Sequence, residues 1–382
     1  MNKLKYVMRE IYEGLYDGPH ATPPVSDSGA VFLGISNITS DGHIDYSDIR
    51  YINEIDLPKW TKRVTPKGGD IVFSYEATLN LYAIIPDGFW GCLGRRMALI
   101  RPDETKALGK YLYYYFFSDE WRATIAENTI AGSTVDRIPI AKFPEFPITL
   151  PDLSVQKMIA DTLSVYDDLI ENNQKQIKLL EEAAQRLYKE WFVDLRFPGH
   201  KDTQIVDGLP VGWKKQGLSE IAPILTGKKD ANFGTEDGRY LFFTCAQEPI
   251  KAPSYSFDCD AVILAGNGDF NVKLYRGRFK AYQRTYVFSP FDSEHLYLLY
   301  NVVRENMRQL FQGASGSTIK FLTKRMLEDI IVYIPDEQLL KKYNDNAEAI
   351  QRKIECLKDS INEATEARDR LLPKLMSGEI EV

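Results

Sequence analysis

Basic side chains grouped at comparable places in the two halves of this sequence are its strongest candidates for chemistry, and that chemistry is binding. Lysine and arginine neutralise phosphate groups, and arginine, asparagine, glutamine and serine can also hydrogen-bond to base edges in the major groove of a duplex. Any one of these residues could be an ordinary solvated surface charge, so the prediction depends on the recurrence of the groups. The predicted contact residues are His20, Lys62, Arg63, Arg95 and Arg96 in the first half, and Lys228, Lys229, Lys273, Arg276, Arg278, Lys280 and Arg284 in the second.

The charge distribution bears on this prediction. The net charge of −7 argues mildly against a nucleic-acid partner. Residues 1–150, however, carry 16 basic and 19 acidic side chains, and residues 193–336 carry 18 and 17. Both regions are near neutral, and phosphate contact depends on local potential rather than on total charge. We expect the basic residues to lie in loops, including those of residues 273–284, where Tyr275, Phe279 and Tyr282 are interleaved with them.

A glycine-serine-threonine loop occurs in each half of the chain, with Ser133 and Thr134 in the first and Ser317 and Thr318 in the second. Their hydroxyl groups could cap the start of a strand or helix, or they could contact phosphate. The recurrence indicates a shared structural role and leaves both interpretations open.

The offset that carries Ser133 onto Ser317 relates other parts of the chain as well, which indicates an internal repeat. It carries Leu112-Tyr113 onto Leu296-Tyr297, and Pro151-Asp152 onto Pro335-Asp336. We therefore predict an α+β fold with two similar heads, each followed by a long helix. The expected boundaries are residues 1–150 for the first head, 151–193 for the first helix, 194–335 for a linker and the second head, and 336–382 for the second helix and tail.

Each predicted long helix carries an apolar seam whose spacing alternates between four and three residues. This period is typical of a coiled coil. We expect the two helices to pair antiparallel within one chain, with Asn173 near the middle of the pair; a homodimeric coiled coil is the alternative. Pro373 should kink or end the second helix. The seam residues are Ile159, Leu163, Tyr166, Ile170, Asn173, Ile177, Leu180, Ala184, Leu187 and Trp191, followed by Tyr343, Ala347, Ile350, Ile354, Leu357, Ile361, Ala364, Arg368, Leu371 and Leu375.

Within the heads, residues 70–74 and 260–264 are predicted as equivalent strands, and residues 97–100 and 285–288 as a second pair. Residues 111–121 and 295–311 are predicted as helices whose aromatic side chains belong to the core.

Several classes of protein are disfavoured by what the sequence lacks. The four cysteines and four histidines have no metal-type spacing, and the cysteines resemble reduced cytosolic thiols. No apolar run approaches the length of a spanning helix, and no signal peptide is visible. No complete phosphate loop, dinucleotide-binding or adenine-methyltransferase motif occurs. We therefore expect a cytoplasmic protein that binds rather than catalyses, with no catalytic residue and no metal ligand.

The chain resembles the specificity subunits of type I DNA restriction–modification systems over nearly all its length. The resemblance is carried by four stretches: residues 17–23 (DGPHATP), 68–74 (GGDIVFS), 208–213 (GLPVGW) with 225–228 (LTGK), and the tail 370–380 (RLLPKLMSGEI). The tail and residues 208–213 are the more specific. The first head lacks the Leu-Pro-x-Gly-Trp opening of the second, so we expect its N-terminal edge to be built differently.

This resemblance implies that each head is a target recognition domain for one half of a bipartite site in double-stranded DNA. It places Thr22 with His20 among the DNA-binding residues. The paired helices would set the unread spacer and dock two modification (methyltransferase) subunits, around which restriction (translocase and endonuclease) subunits assemble. S-adenosylmethionine, ATP and Mg²⁺ would then be bound by those partners only, and this chain would need no cofactor.

Two alternatives from other classes remain. One is a coiled-coil scaffold whose heads bind proteins, and the other is an enzyme whose site has no recognisable motif. A DNA reader should show affinity that falls steeply with salt, which a scaffold would not. An enzyme should show turnover by the purified chain alone.

Overall fold

The structure is a computed structural model that describes residues 3–132, 134–314 and 320–381. The chain divides into two compact units. The first comprises Met1–Glu171 and Ile361–Val382, and the second comprises Asn172–Ser360. Each unit contains a sheet-rich head and one segment of each of two long helices.

In the first unit, short strands are followed by aromatic helices. The strands are β1 (Leu4–Val7), β2 (Tyr12–Asp17), β3 (Ala30–Leu33), β4 (Arg50–Ile52), β5 (Ile71–Ser74), β6 (Tyr82–Ile84), β7 (Gly91–Leu93), β8 (Met97–Pro102) and β9 (Pro147–Leu150). The helices are α1 (Leu57–Trp60), α2 (Gly109–Tyr115), α3 (Asp119–Asn128) and the first half of α4 (Leu153–Tyr188).

In the second unit, α4 continues and ends in a π-helical turn over Lys189–Val193. The strands that follow are β10 (Ile205–Val206), β11 (Leu209–Pro210), β12 (Lys214–Gly217), β13 (Ile224–Thr226), β14 (Tyr240–Phe243), β15 (Ile250–Ala252), β16 (Phe257–Ala265), β17 (Val272–Ala281), β18 (Thr285–Phe288) and β19 (Ile331–Ile334). The helices are α5 (Leu218–Ile221), α6 (Leu296–Gly313), α7 (Lys324–Glu328) and α8 (Glu337–Ser377), whose last turns belong to the first unit.

The two heads share one strand order, which confirms the predicted pair of similar α+β domains. The second unit has a six-stranded sheet, β13-β18-β16-β17-β14-β15, and the first has β2-β8-β5-β6 beside β4-β3-β7. β14 is parallel to β17, as β3 is to β7, and the other pairs of neighbouring strands in these sheets are antiparallel. β17 therefore corresponds to β6 and β7 together, which a turn at Asp87 and Gly88 separates.

All four predicted strands form. In the first pair of equivalent strands, however, the residues that correspond between the two heads differ by one position from the prediction. Ile71 and Phe73 lie in the larger core of the first unit, and Val262 and Leu264 lie in the larger core of the second. Ile71 thus corresponds to Val262 and not to Ala261. The shift matters because a one-residue slip moves every side chain of a strand to the opposite face of its sheet.

The helix predicted at residues 111–121 is in fact two helices, whereas the one predicted at residues 295–311 forms as the single helix α6. The break comes after Tyr115, and the Ser118 hydroxyl then accepts a hydrogen bond from Trp121 N at 3.3 Å to cap α3. A serine at this position satisfies an otherwise unpaired amide at the new helix start. Tyr111, Tyr115 and Trp121 are buried, as expected for core residues.

Equivalent strand pairs and caps lead into the two long helices. β1 pairs with β9 and β12 pairs with β19, and the offset of the sequence repeat carries β9 onto β19 residue for residue. Asp152 Oδ1 accepts from Ser154 N and Val155 N at 3.1 Å, and Asp336 Oδ1 accepts from Leu339 N at 3.0 Å. The bonds with Ser154 and Val155 lower the pKa of Asp152, as expected for a carboxylate at a helix N-terminus.

The long helices run antiparallel, as predicted. In the second unit, Asn173 Nδ2 donates to Ser360 Oγ at 3.1 Å, and the rings of Trp191 and Tyr343 are 5.9 Å apart. Residues later in α4 therefore contact residues earlier in α8, as they do in an antiparallel pair. The leucine, isoleucine, tyrosine, tryptophan and asparagine residues of the predicted seams are all buried or half-buried.

Pro373 does not end α8, contrary to one of the predicted outcomes. The helix continues to Ser377 and stops at Gly378, which has a φ of +81°. Leu375 and Met376 lie in the larger core of the first unit and hold the last turn in place. This packing compensates for the backbone hydrogen bond that the helix lacks at a proline.

Candidate nucleic-acid interface

Four loops of the second head meet where strands end, and we call this surface the second rim (residues 227–229, 244–247, 266–271 and 282–284). Gln283 N donates to Lys229 O at 2.9 Å, and Gly266 N donates to Arg284 O at 2.9 Å. Cys245 Sγ lies 2.8 Å from Asn267 Oδ1. These contacts join loops that are far apart in sequence into one surface.

The same loops meet in the first head, where they form the first rim (residues 17–20, 34–37, 75–80 and 94–96). Gly18 N donates to Met97 O at 2.7 Å, and Tyr75 N donates to Arg96 O at 3.1 Å. Gly94 N donates to Leu33 O at 2.6 Å. Because the two heads share one strand order, their rims are built from corresponding loops.

Several predicted contact residues lie in or beside the first rim, next to carboxylates. His20 Nε2 is 3.1 Å from Asp17 Oδ2, and Arg63 contacts the same carboxylate. Arg96 Nε is 3.3 Å from Glu76 Oε1. With Arg95 and Arg96, residues 34–37, Phe32 and Arg50 line an open cavity of about 270 Å³. Thr22 and Lys62 are exposed on the flanking segments.

The second rim brings together Lys228, Lys229 and Arg284. All three side chains are exposed, and Arg284 makes no ion pair or side-chain hydrogen bond with any residue that the structure describes. Lys229 Nζ lies 5.0 Å from the centre of the Phe233 ring, in cation–π contact. This rim therefore presents positive charge to solvent.

The prediction that Lys273, Arg276, Arg278 and Lys280 lie in a loop was wrong, because all four lie in β17. Arg276 and Arg278 are outside the second rim. Arg276 Nε is 3.6 Å from Asp260 Oδ2 and its Nη2 donates to Tyr297 Oη at 2.5 Å, whereas Arg278 Nε donates to Asp258 Oδ2 at 2.9 Å. Both guanidinium groups thus already have partners.

Lys280 is buried, with 6% of its surface exposed, and its Nζ lies 4.7 Å from the Phe233 ring centre. Burial lowers the pKa of Lys280, and the nearby charge of Lys229 lowers it further. The pair shares one aromatic ring at the edge of the second rim.

Residues that follow the two glycine-serine-threonine sequences in the chain bond to the rims. Ile138 N donates to Tyr75 O at 2.7 Å, and Leu322 N, at the corresponding position of the repeat, donates to Gly266 O at 2.8 Å. Thr134 is exposed, whereas Ser133, Ser317 and Thr318 lie outside the described residues.

Comparison with known proteins finds similarity to proteins of one kind. Residues 27–182 match the family described as type I restriction modification DNA specificity domain. The type I restriction enzyme EcoDI specificity subunit of Escherichia coli is 41% identical over 172 residues, which are 44% of this chain and 36% of that relative. The MjaIX specificity subunit of Methanocaldococcus jannaschii is 24% identical over 368 residues, which are 87% of this chain and 82% of that relative.

This chain is similar to type I restriction–modification specificity subunits.

The fold agrees with a solved member of the specificity-subunit family. The crystal structure of the S subunit from M. genitalium superposes with a TM-score of 0.60 at 18% identity, over 98% of this chain and 96% of that one. At this identity, the likeness concerns the fold. The alignment with the E. coli specificity subunit spans little more than a third of that subunit's length.

Acidic and amide side chains of the rims were not predicted from the sequence. Asp17 and Glu76 contact the basic residues of the first rim, and Gln247 Nε2 donates to Asp269 Oδ2 at 2.6 Å on the second. Nothing local distinguishes these residues, because each becomes part of a rim only when the sheet brings distant loops together.

Neither a metal-binding cluster nor a membrane-spanning helix is present in the part of the chain that the structure describes. In residues 3–132, 134–314 and 320–381, no three histidine, cysteine, aspartate or glutamate side chains are grouped so that they could hold a metal ion. Among the same residues, no helix has both the length and the apolar character needed to cross a membrane.

Proposed function

We propose that this chain is the non-catalytic subunit that reads DNA sequence in a type I restriction–modification complex, with each rim contacting one half of a bipartite site. The main support is that corresponding loops meet on both heads while the side chains they carry differ. Arg95 on the first rim corresponds to Gln283 on the second, whereas the neighbouring Arg96 corresponds to Arg284. Different side chains on a common framework should recognise different half-sites.

We assign phosphate contact to the exposed basic residues of the rims and to their flanks. Lys228, Lys229 and Arg284 would act on one half-site, and His20, Arg63 and Arg95 on the other, with Thr22, Lys62, Arg96 and the glycine-serine-threonine loops nearby. Arg276 and Arg278 would contribute less, because both lie on β17 outside the second rim and already pair with carboxylates. Lys280 would support Lys229 through Phe233 without reaching DNA.

We further propose that the helix pair sets the length of the unread spacer and docks two modification subunits. Both α4 and α8 have segments in both units, so these two helices are the segments that connect one unit to the other. On the first-unit segment of α4, Met158, Val165 and Leu169 are 41%, 63% and 41% exposed. Their spacing of seven and four residues puts them on one helix face outside the seam, where a partner helix could pack.

Methyl transfer and ATP-dependent cleavage would then belong to the modification and restriction subunits. We propose that S-adenosylmethionine, ATP and Mg²⁺ bind to those subunits, and that this chain contributes the recognition of sequence and the geometry of the site.

The salt dependence of DNA binding by the full chain tests the proposal. Six or more phosphate contacts would reduce affinity about a thousandfold between 50 and 200 mM salt. A protein-binding scaffold would show no such dependence. Modification or cleavage of DNA by the purified chain alone would instead favour an enzyme.

A further inference from the structure

On the second rim, an exposed polar pair lies above a half-buried hydrogen-bond network. The pair is Gln247 and Asp269, joined at 2.6 Å and exposed on two different loops. The half-buried residues that support the same loops are Asn271 and Lys273. The polar atoms of these two residues face the backbone of the chain.

Asn271 joins the two loops directly. Its Nδ2 donates to Cys245 O at 3.2 Å and to Ala246 O at 3.4 Å in one loop, and to Asp269 O at 2.7 Å in the other. An amide has two donor hydrogens, so three acceptors at these distances account for its full donor capacity.

Lys273 completes the network. Its Nζ donates to Ala246 O at 2.9 Å and also to Asn271 Oδ1. On β17, Lys273 pairs with Ile263, whose side chain belongs to the smaller core of the second unit, so the lysine stem lies on that face. Burial lowers the pKa of Lys273, while the nearby Glu248 and Asp269 carboxylates act in the opposite direction.

The first unit has no counterpart of this network among its described residues. The residue that corresponds to Lys273 is Ala83, which pairs with Val72 of β5 as Lys273 pairs with Ile263 of β16. Ala83 is fully buried. The arrangement is therefore specific to one head.

We infer that Lys273 and Asn271 are positioning residues that hold residues 244–247 against residues 266–271, so that Gln247 and Asp269 present one fixed set of polar atoms to base edges. This inference rests on the proposed function and names the base-reading group of the second rim. A glutamine amide can pair with the N6 and N7 atoms of adenine, and a carboxylate can accept from N4 of cytosine. Lys273 thereby acts through the loops and not as the phosphate contact predicted from the sequence.

The test compares Lys273→Met and Asn271→Ala with Lys228→Met, each in the full chain. Duplexes selected from a randomised pool give the base preference at both half-sites, and a random-sequence duplex gives the slope of affinity against salt. Lys273→Met and Asn271→Ala should weaken base preference about tenfold at one half-site, the loss expected for one good base contact. The other half-site and the salt slope should not change.

Lys228→Met should do the opposite, because a phosphate contact carries no sequence information. For Lys228→Met, the slope of log affinity against log salt concentration should become shallower by about one, while the base preferences at both half-sites persist. The inference is overturned if Lys273→Met lowers the salt slope as Lys228→Met does, or if neither Lys273→Met nor Asn271→Ala alters base preference.

The unchanged salt slope reports that the second head of each variant is folded, since an unfolded head would lose its phosphate contacts. If one of the two variants fails to fold, the other decides the question. Selection of no motif by the unmodified chain would contradict the proposed function itself, which is a different outcome from the failure of this inference.

Discussion

Arg96 and Arg284 occupy the same turn in the two units, immediately before the strands that begin at Met97 and Thr285. The carbonyl of each accepts the amide of the residue that follows the neighbouring strand, Tyr75 in one unit and Gly266 in the other. The side chains then differ in their surroundings, because Arg96 lies beside Glu76 and Arg284 has no described partner. Arg284 is therefore the sharper probe of phosphate contact.

Arg284→Ala should weaken binding to all DNA sequences alike and reduce the salt slope by about one, as loss of a single phosphate contact does. Arg278→Ala is the matched control, since it removes the same charge from β17, where Asp258 already neutralises it. Titration of one duplex at four salt concentrations measures the affinity and the salt slope of each variant. Equal effects of the two variants would mean that the rim has no special role.

A buried ion pair in the first unit should dominate the local stability of the helix pair. Arg368 Nη1 is 2.7 Å from Asp167 Oδ1, with 9% and 16% of the two side chains exposed, and Tyr114 Oη donates to Asp167 Oδ2 at 2.5 Å. Arg368→Met would leave the Asp167 carboxylate buried without its countercharge. We expect the free energy of unfolding to fall by roughly 3 kcal/mol.

Arg370→Met is the control for this measurement. Arg370 lies close by on α8 with 78% of its side chain exposed, and among the described residues its ion pair is with Glu366 on the same helix face. Exposed pairs of this kind contribute little. Urea unfolding measures the free energy of unfolding of both variants. Equal losses in Arg368→Met and Arg370→Met would contradict a special contribution of the buried ion pair.

Some contacts of single residues could not be predicted from the sequence. Arg63 and Asp17 are far apart in the sequence, and only the completed fold brings them together. The position of Lys273 was open to prediction, since residues 272–281 alternate in the manner of a strand, but the aromatic and basic composition favoured a loop. The atoms that accept hydrogen bonds from the Lys273 ammonium group could not be predicted.

At the scale of elements, the periodic parts of the chain were predicted well. The seams of α4 and α8 follow from spacing alone, because helix periodicity is a local property of the sequence. The break between α2 and α3 was missed, since it depends on the cap at Ser118 inside a continuous aromatic run. The sequence left open whether α8 ends at Pro373, because the burial of Leu375 and Met376 that decides this takes place in a core made by other elements.

The role of the helix pair as a spacer can be tested by lengthening both helices together. Insertion of seven residues after Glu171 and seven after Ser360 preserves the heptad phase of both seams and falls at matched levels of the antiparallel pair. Each helix gains about 10 Å, which corresponds to about three base pairs of DNA.

The preferred spacer between the half-sites should therefore grow by about three base pairs, while the sequences of both half-sites remain the same. Selection from a pool of randomised duplexes measures spacer and half-sites in one experiment. An unchanged spacer would contradict the proposed role, whereas altered half-site sequences would place recognition in the helices.

At the scale of the molecule, the repeat is the feature that connects sequence, fold and function. Its constant offset predicted two heads, and the shared strand order bears this out in β16, β17 and β18 against β5, β6, β7 and β8. The offset holds near the helices, at β9 and β19, and becomes longer within the sheets, where Ile71 corresponds to Val262 and Met97 to Thr285. Insertions in the loops cause this drift, and these are the segments that must differ if the heads read different sequences.

The most direct test of the central claim, that each head reads its own half-site, is to map methylated adenines in host cells that carry the complete system. The comparison is between the intact chain and one in which residues 194–335 are replaced by the corresponding head of a relative. The account predicts a two-part motif in which one half changes, while the other half and the spacer stay the same. Methylation at an unchanged motif, or a change in both halves at once, would contradict it.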